Sequence, residues 1–167
     1  RKAEPMLRPA LLPSLLLCRK ANQDAGNRGV RLFEIASTWT RQPHGAIQES
    51  VRLALLADVE EDSDRQSALR ALRGSVEALV QTLGGAGRLR LTPQNQPGMT
   101  AAAALLLDDQ TLGTLGLPDA DTLKLFELQH PVATAELDWP RLAELFPPER
   151  RLTALARFPG IERDLSV

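Results

Sequence analysis

The stretch that most constrains this chain runs from Asn27 to Thr40, Asn-Arg-Gly-Val-Arg-Leu-Phe-Glu-Ile-Ala-Ser-Thr-Trp-Thr. It follows a turn at Asp24-Ala25-Gly26 and is rich in β-branched and aromatic residues, so Arg28–Thr40 reads as a strand. That is long, since strands usually run to about 5–6 residues. Leu32, Phe33 and Ile35 cannot all face one side, because successive side chains alternate. The pattern therefore predicts a central strand with apolar groups on both faces and Arg31 and Glu34 near a wet end. Pro43 and Gly45 mark a turn between Gln42 and Ala46. Beyond it Val51, Leu53, Leu55 and Ala57 alternate with Arg52, Ala54 and Leu56, so Glu49–Val59 reads as the antiparallel partner. A hairpin this long commits the chain to an antiparallel sheet.

Helices come before and after the hairpin. Pro13 suits a first helical turn, where a missing N–H costs nothing. Leu15, Leu16, Cys18 and Ala21 then offer a narrow apolar stripe, Arg19, Lys20 and Gln23 are expected to face water, and Gly26 is a stop. The clearest helix is Gln66–Leu83, where Leu69, Leu72, Val76, Leu79 and Leu83 repeat at alternating 3 and 4 spacing. Arg73 and Glu77 lie four apart on another face. Gly74 inside this helix predicts a close approach by a neighbouring element. Four carboxylates at Glu60, Glu61, Asp62 and Asp64 precede it, but the central glycine of a calcium loop is missing. They read as a solvated loop whose Asp62, Ser63 or Asp64 caps the helix. The glycines of Gly84-Gly-Ala-Gly87-Arg88 follow a helix rather than opening one, so they read as a helix stop and not a phosphate cradle.

The second half predicts a short strand over Arg88–Leu91, a loop over Thr92–Thr100, and strands Ala101–Leu107 and Gln110–Leu117 joined at Asp108-Asp109. Gly113 and Gly116 point to close backbone approach or a bulge. A short helix over Asp119–Phe126, capped by Asp119 or Asp121, leads to a strand over Val132–Asp138. Asp138 then caps a helix over Trp139–Phe146, with Pro140 at its start. Hairpins outnumber crossovers, so the fold class is α+β, an antiparallel β-sheet flanked by helices.

At 167 residues the chain is long enough for one domain with a real core. Its net charge of −1 supplies no global basic field, which argues against a main nucleic-acid surface here. Cys18 is the only cysteine, so there is no internal disulfide and no cysteine-based zinc site; it is expected to be a small buried hydrophobe. No apolar run approaches the ~18 residues of a membrane span, and no secretory leader is visible. Arg1 and Val167 both read as cut ends, so an excised domain is expected. His44 and His130 are isolated and read as a turn and a loop histidine.

Four blocks, in order, carry a family resemblance: Met6-Leu-Arg8-Pro9-Ala-Leu-Leu-Pro13-Ser-Leu-Leu; Arg31-Leu-Phe-Glu34-Ile; Arg73-Gly74-Ser-Val76-Glu77-Ala-Leu79-Val-Gln-Thr-Leu83-Gly84; and Arg157-Phe158-Pro159-Gly160-Ile161-Glu162-Arg163-Asp164-Leu165. Together they resemble the β subunit of bacterial phenylalanyl-tRNA synthetase. The resemblance implies the class II synthetase catalytic-like fold, with residues 1–150 a non-catalytic core domain. Residues 151–167 would be a linker and the start of a truncated anticodon-binding domain. Catalytic relatives hold ATP with an arginine on a Phe-Arg-x-Glu strand, which this chain lacks. Arg8 sits where they often have Leu-Arg-Pro-Glu, but Ala10 replaces the glutamate, and Gln96-Pro97-Gly98 lacks the histidine of the family's His-Pro-Gly. The implied role is thus a dead copy of the fold, with no catalytic, cofactor or metal residues of its own. It would scaffold a catalytic α subunit in a cytoplasmic heterotetrameric ligase that uses ATP and magnesium to join phenylalanine to tRNA. In that reading tRNA is bound through other domains and no membrane is involved. The other reading is a stand-alone binding or regulatory domain of the same fold with no tRNA role. In catalytic relatives the region around Arg31 and Glu34 lines the substrate cleft. Here that surface is expected to be closed off or turned to packing, with Arg31 and Glu34 on opposite faces and each in its own salt bridge or hydrogen bond.

Overall fold

The long hairpin forms in a computed structural model that describes residues 7–59, 65–84 and 89–146. Strand β1 (Arg31–Arg41) pairs antiparallel with β2 (Ile47–Asp58) in one unbroken register, from Arg31 opposite Ala57 to Arg41 opposite Ile47. Helix α1 (Leu12–Asp24) precedes it and α2 (Arg65–Gly84) follows it. Then come β3 (Leu89–Gln94), β4 (Met99–Leu107), β5 (Gln110–Pro118), α3 (Ala120–Leu125), β6 (Val132–Asp138) and α4 (Trp139–Ala143). The six strands form one antiparallel sheet in the order β1-β2-β6-β5-β4-β3. The α+β architecture is therefore the one the sequence implies. Residues 60–64, 85–88 and 147–167 lie outside the described residues, so the acidic loop, most of the glycine run and the segment resembling a domain entry go undescribed.

The order corrects the reading of β1, which is an edge strand and not a central one. Its apolar side chains did signal two faces, but one of them is uncovered: Phe33 is 72% exposed and Ile35 42%. The other edge, β3, extends further than expected and includes Pro93, which an edge tolerates because its missing N–H costs no ladder bond. Between β4 and β5, Asp108 and Asp109 both adopt positive φ, 48° and 62°, as a two-residue hairpin turn of the primed kind demands.

Gly113 holds the middle of the sheet together. A Cβ there would stand 2.1 Å from the Glu136 carbonyl oxygen, so β5 and β6 approach this closely only because the residue is glycine. The β4–β5 register shifts between Leu105 and Leu106, beside the same point. Both readings of the strand glycines, close approach and irregular pairing, are met.

Two apolar cores lie on opposite faces. On one, α2 and α4 cover Leu53, Leu105, Leu112, Leu115, Ala135 and Leu137, with Val76 and Leu142 fully buried among them. The helix face read from the sequence is the one that packs: Leu72, Val76 and Val80 are buried, and Leu69, Leu79 and Leu83 are partly so. Arg73 and Glu77 form the expected surface pair at 2.7 Å. Gly74 departs from expectation. It faces solvent, and a Cβ there would meet nothing within 4 Å, so no neighbour explains it. On the other face α1 packs Leu11, Leu15 and Leu16 against Ala54, Leu56 and Val132.

Helix α1 is rotated from its predicted stripe. Cys18 is exposed, not a core hydrophobe. Arg19 is 3% exposed and ion-paired through Nε to Asp58 Oδ1, instead of facing water. Positions 11, 12, 15, 16 and 19 share one helical face, and Arg19 is its last member. Asp58, which also accepts from the Val30 N–H at 2.9 Å, lies beneath it and makes a charge tolerable there.

Three substitutions test this packing by chemical denaturation. Leu72→Ala is expected to cost about 2–5 kcal/mol, with Leu79→Ala costing less because its site is only partly buried. Gly74→Ala is expected to stabilise by about 0.5–1 kcal/mol, since the helix gains propensity and the methyl meets open space. Arg19→Ala is expected to cost about 3–5 kcal/mol, because it leaves Asp58 buried without its counter-charge.

Candidate functional site

The face of the sheet under α1 is only half covered. Beside the helix a cleft of about 460 Å³ opens over β5 and β6. Its floor is Thr114 and Gly116 on β5 and Thr134 and Glu136 on β6; Arg52 of β2, the first turn of α1, Thr122 and Phe126 form the walls. Alternation builds this floor. Thr134, Glu136 and Asp138 occupy every second position of β6, while Ala133, Ala135 and Leu137 point into the opposite core. Register brings partners alongside: Thr114 is opposite Glu136, and Arg52 opposite Asp138.

Each charge in this region is engaged by the fold itself. Glu136 Oε2 accepts from the backbone N–H groups of Leu11 and Leu12 at 3.0 and 3.2 Å. Leu11, the residue before α1, has no side chain able to cap the helix, so the carboxylate from β6 does so from across the sequence. Asp138 pairs with Arg52 at 3.5 Å and caps α4 by accepting from the Arg141 N–H at 3.1 Å. Arg8 Nη1 pairs with Glu34 at 2.8 Å and reaches Ser14 Oγ at 3.2 Å; its Nε donates to the Ser37 carbonyl at 3.3 Å. The Arg8 carbonyl in turn accepts from the Trp39 N–H at 2.9 Å. These pairs are about a third exposed and each is worth only about 0–1 kcal/mol, so their importance is positional. The cleft therefore has the shape of a binding site but presents no arginine free of a carboxylate among its described lining residues. Around α3, the Thr122 backbone N–H donates to Asp119, and this bond holds the Asp119 carboxyl below the ordinary aspartate value. The capped state of Asp119 is therefore fully stabilising above its unfolded value and is lost as pH falls through the lowered one.

The other residues singled out by sequence fall apart from one another. Glu34 has the partner expected of it. Arg31 has no salt-bridge or hydrogen-bond partner among the described residues: it is exposed on the opposite face, at the rim of a second, apolar cleft of about 370 Å³ between β1, β2 and the first half of α2. On the Glu34 face of β1, Leu32 and Ala36 pack into the core under α1, and the open cleft lies farther across the sheet, over β5 and β6. His44 and His130 are exposed and far apart in sequence, on a turn and a loop as read. The turn at Gln96-Pro97-Gly98 borders the cleft, with Gly98 at φ 78°. Among the described residues no group of three or more His, Cys, Asp or Glu could hold a metal ion, and no helix is long and apolar enough to cross a membrane.

Sequence reasoning found Asp138 as the cap of α4 but missed its pairing with Arg52, and it missed Glu136 and Asp58. The signal for Glu136 was present: a carboxylate at the period-2 position of an otherwise apolar strand must be paired or capping. Glu136→Ala is expected to cost about 1 kcal/mol and to speed exchange of the Leu11 and Leu12 amides, with Glu136→Gln intermediate because it keeps an acceptor. Denaturation and amide hydrogen exchange check both.

Comparison with known proteins bears on what this cleft is. Residues 2–139 match the family described as phenylalanyl tRNA synthetase beta chain CLM domain. The chain is 33% identical, over 96% of its length, to the phenylalanine–tRNA ligase beta subunit of Rhodopirellula baltica, and 28% identical, over 98%, to that of Dehalococcoides mccartyi strain 195. It spans 24% and 21% of those relatives. Among solved structures, the pyrrolysyl-tRNA synthetase of Desulfitobacterium hafniense superposes with a TM-score of 0.65 over 81% of this chain and 47% of that one. At 16% identity that likeness shows a shared fold, the aminoacyl-tRNA synthetase sheet.

Proposed function

The chain belongs to the phenylalanyl-tRNA synthetase beta chain CLM domain family, and from that premise we propose that it is a non-catalytic module of a phenylalanine–tRNA ligase β subunit. Its role is to scaffold a catalytic α subunit, which supplies the ATP and magnesium chemistry that charges tRNA with phenylalanine. tRNA is met through other parts of the β subunit, and the ligase is a cytoplasmic heterotetramer.

The observation that carries this reading is the fate of the charges around the cleft. Adenylate formation brings a carboxylate against phosphates, and only positioned, available cations offset that repulsion. Here Arg52, the arginine among the described lining residues, is held by Asp138, while Glu136 fills the anion-favouring start of α1; outside the cleft, Arg8 is likewise held by Glu34. A phosphate entering the cleft would meet Glu136 as a like charge. The arrangement supports a domain that keeps the sheet and its helices but places no reactive group.

Phenylalanine-dependent pyrophosphate–ATP exchange tests the reading. The β chain without its α subunit is expected to show no exchange above background, and the α subunit is expected to co-purify with it. Exchange by the β chain alone that disappears on Arg8→Ala or Arg52→Ala would overturn the proposal.

A further inference from the structure

We propose that the cleft over β5 and β6 binds a small organic cation, a primary ammonium carried on an apolar body, with Glu136 as its counter-charge. The inference goes beyond the scaffold reading and does not rest on it.

The fold uses Glu136 through one oxygen only. Oε2 accepts from both the Leu11 and the Leu12 amides, while Oε1 has no hydrogen-bond or ion-pair partner among the described residues. An ionised carboxylate can only accept, so Oε1 is satisfied only by a donor that enters the cleft. Its neighbours on the floor are acceptors as well. Register sets Thr114 opposite Glu136 and Gly116 opposite Thr134. Thr134 is 2% exposed and donates its hydroxyl hydrogen to the Gly116 carbonyl at 3.2 Å, so toward the cleft its oxygen can only accept. The Thr114 hydroxyl has no hydrogen bond among the described residues and is free to accept too. Glu136, Thr114 and Thr134 thus set three acceptors on one face of two adjacent strands, and an ammonium has three N–H groups to offer them. Gly116 brings no side chain to this floor, so the space above the three stays open.

Charge selects a cation over an anion. The ionisable residues among the described lining are Arg52 and Glu136. Arg52 is paired with Asp138 at 3.5 Å and adds no net charge. Glu136 faces only the start of α1, whose partial positive charge amounts to roughly half an elementary charge. The cleft is therefore left negative, and a carboxylate or phosphate is repelled from it. Shape and lining select an organic cation. No group of three or more His, Cys, Asp or Glu among the described residues stands ready to hold a metal ion. Leu12 and Leu16 of α1, Met99 and Phe126 line the rest of the cleft and suit an apolar body. Its volume of about 460 Å³ lies within the roughly 300–1,000 Å³ of small-molecule sites.

Methyl-resolved NMR titration of the complete β chain tests the inference. Cyclohexylmethylamine, cyclohexylmethanol and cyclohexanecarboxylate serve as probes of similar shape and different charge. The amine is expected to shift the Met99 and Thr114 methyls and to bind at least about tenfold more tightly than the alcohol, with the carboxylate weakest. Thr114→Lys sets a tethered ammonium opposite Glu136 without touching the α1 cap, and is expected to weaken amine binding about tenfold or more, read at Met99. Glu136→Gln is expected to abolish the difference between amine and alcohol; Thr114→Lys carries the test if Glu136→Gln unseats α1. Equal affinity for the three probes, a preference for the carboxylate, no shift at Met99 or Thr114, or amine binding unchanged by Thr114→Lys overturns the inference. Amine binding that is lost on adding the α subunit identifies a side chain of that subunit as the occupant and also overturns it.

Discussion

Helix α1 stays on the sheet because two acidic side chains beneath it are answered: Glu136 by the amides of Leu11 and Leu12, and Asp58 by Arg19. At thirteen residues an isolated helix is marginal in water, and this one has no side-chain cap of its own. The sheet supplies what the local sequence lacks. Glu136 anchors the first turn and Arg19 the middle. Near the end, Gln23 donates to the Glu127 carbonyl at 3.0 Å and accepts from the Gln129 N–H at 2.8 Å. Remove α1 and Leu56 and Val132, each 1% exposed, lose their cover, so one apolar core depends on polar contacts made by its roof.

That dependence decides what the neighbouring cleft can do. The carboxylate that caps α1 is also the acidic residue lining the cleft, and the arginine lining it, Arg52, is held by Asp138. Freeing Glu136 for a ligand would loosen the helix. In a catalytic sheet the corresponding charges must be available in the ground state and engaged only by substrate. Here the same atoms are engaged by the fold, so the neutralised charges of the cleft and the seating of α1 have one cause.

Much of this was legible in the sequence, and the failures share a reason. Strand β6 matches its predicted span of Val132–Asp138, the Asp108-Asp109 turn closes the hairpin it was read to close, and α2 buries the face its spacing marked. Those are local signals: period, turn chemistry and capping. What was missed depends on residues distant in sequence. Arg19 looked solvated because its partner is 39 residues away, and Glu136 was passed over because the amides it caps are 125 and 124 residues away. The edge position of β1 was also hidden, since apolar composition tells that a face wants cover but not whether this chain provides it. Gly74 is the opposite case: a glycine that suggested close packing stands in open space, and its presence has no packing account.

The two ends of the strand order then acquire different meanings. Around Gly113 the sheet is at its tightest, with Leu105, Leu112, Leu137 and Leu142 fully buried and β5 pressed against β6 as closely as backbone allows. The β1 edge is the reverse: apolar side chains in water, backbone groups facing outward, and a cleft beside them. Both follow from the strand order: β5 and β6 lie inside the sheet, where each is paired on two sides, and β1 lies at its end.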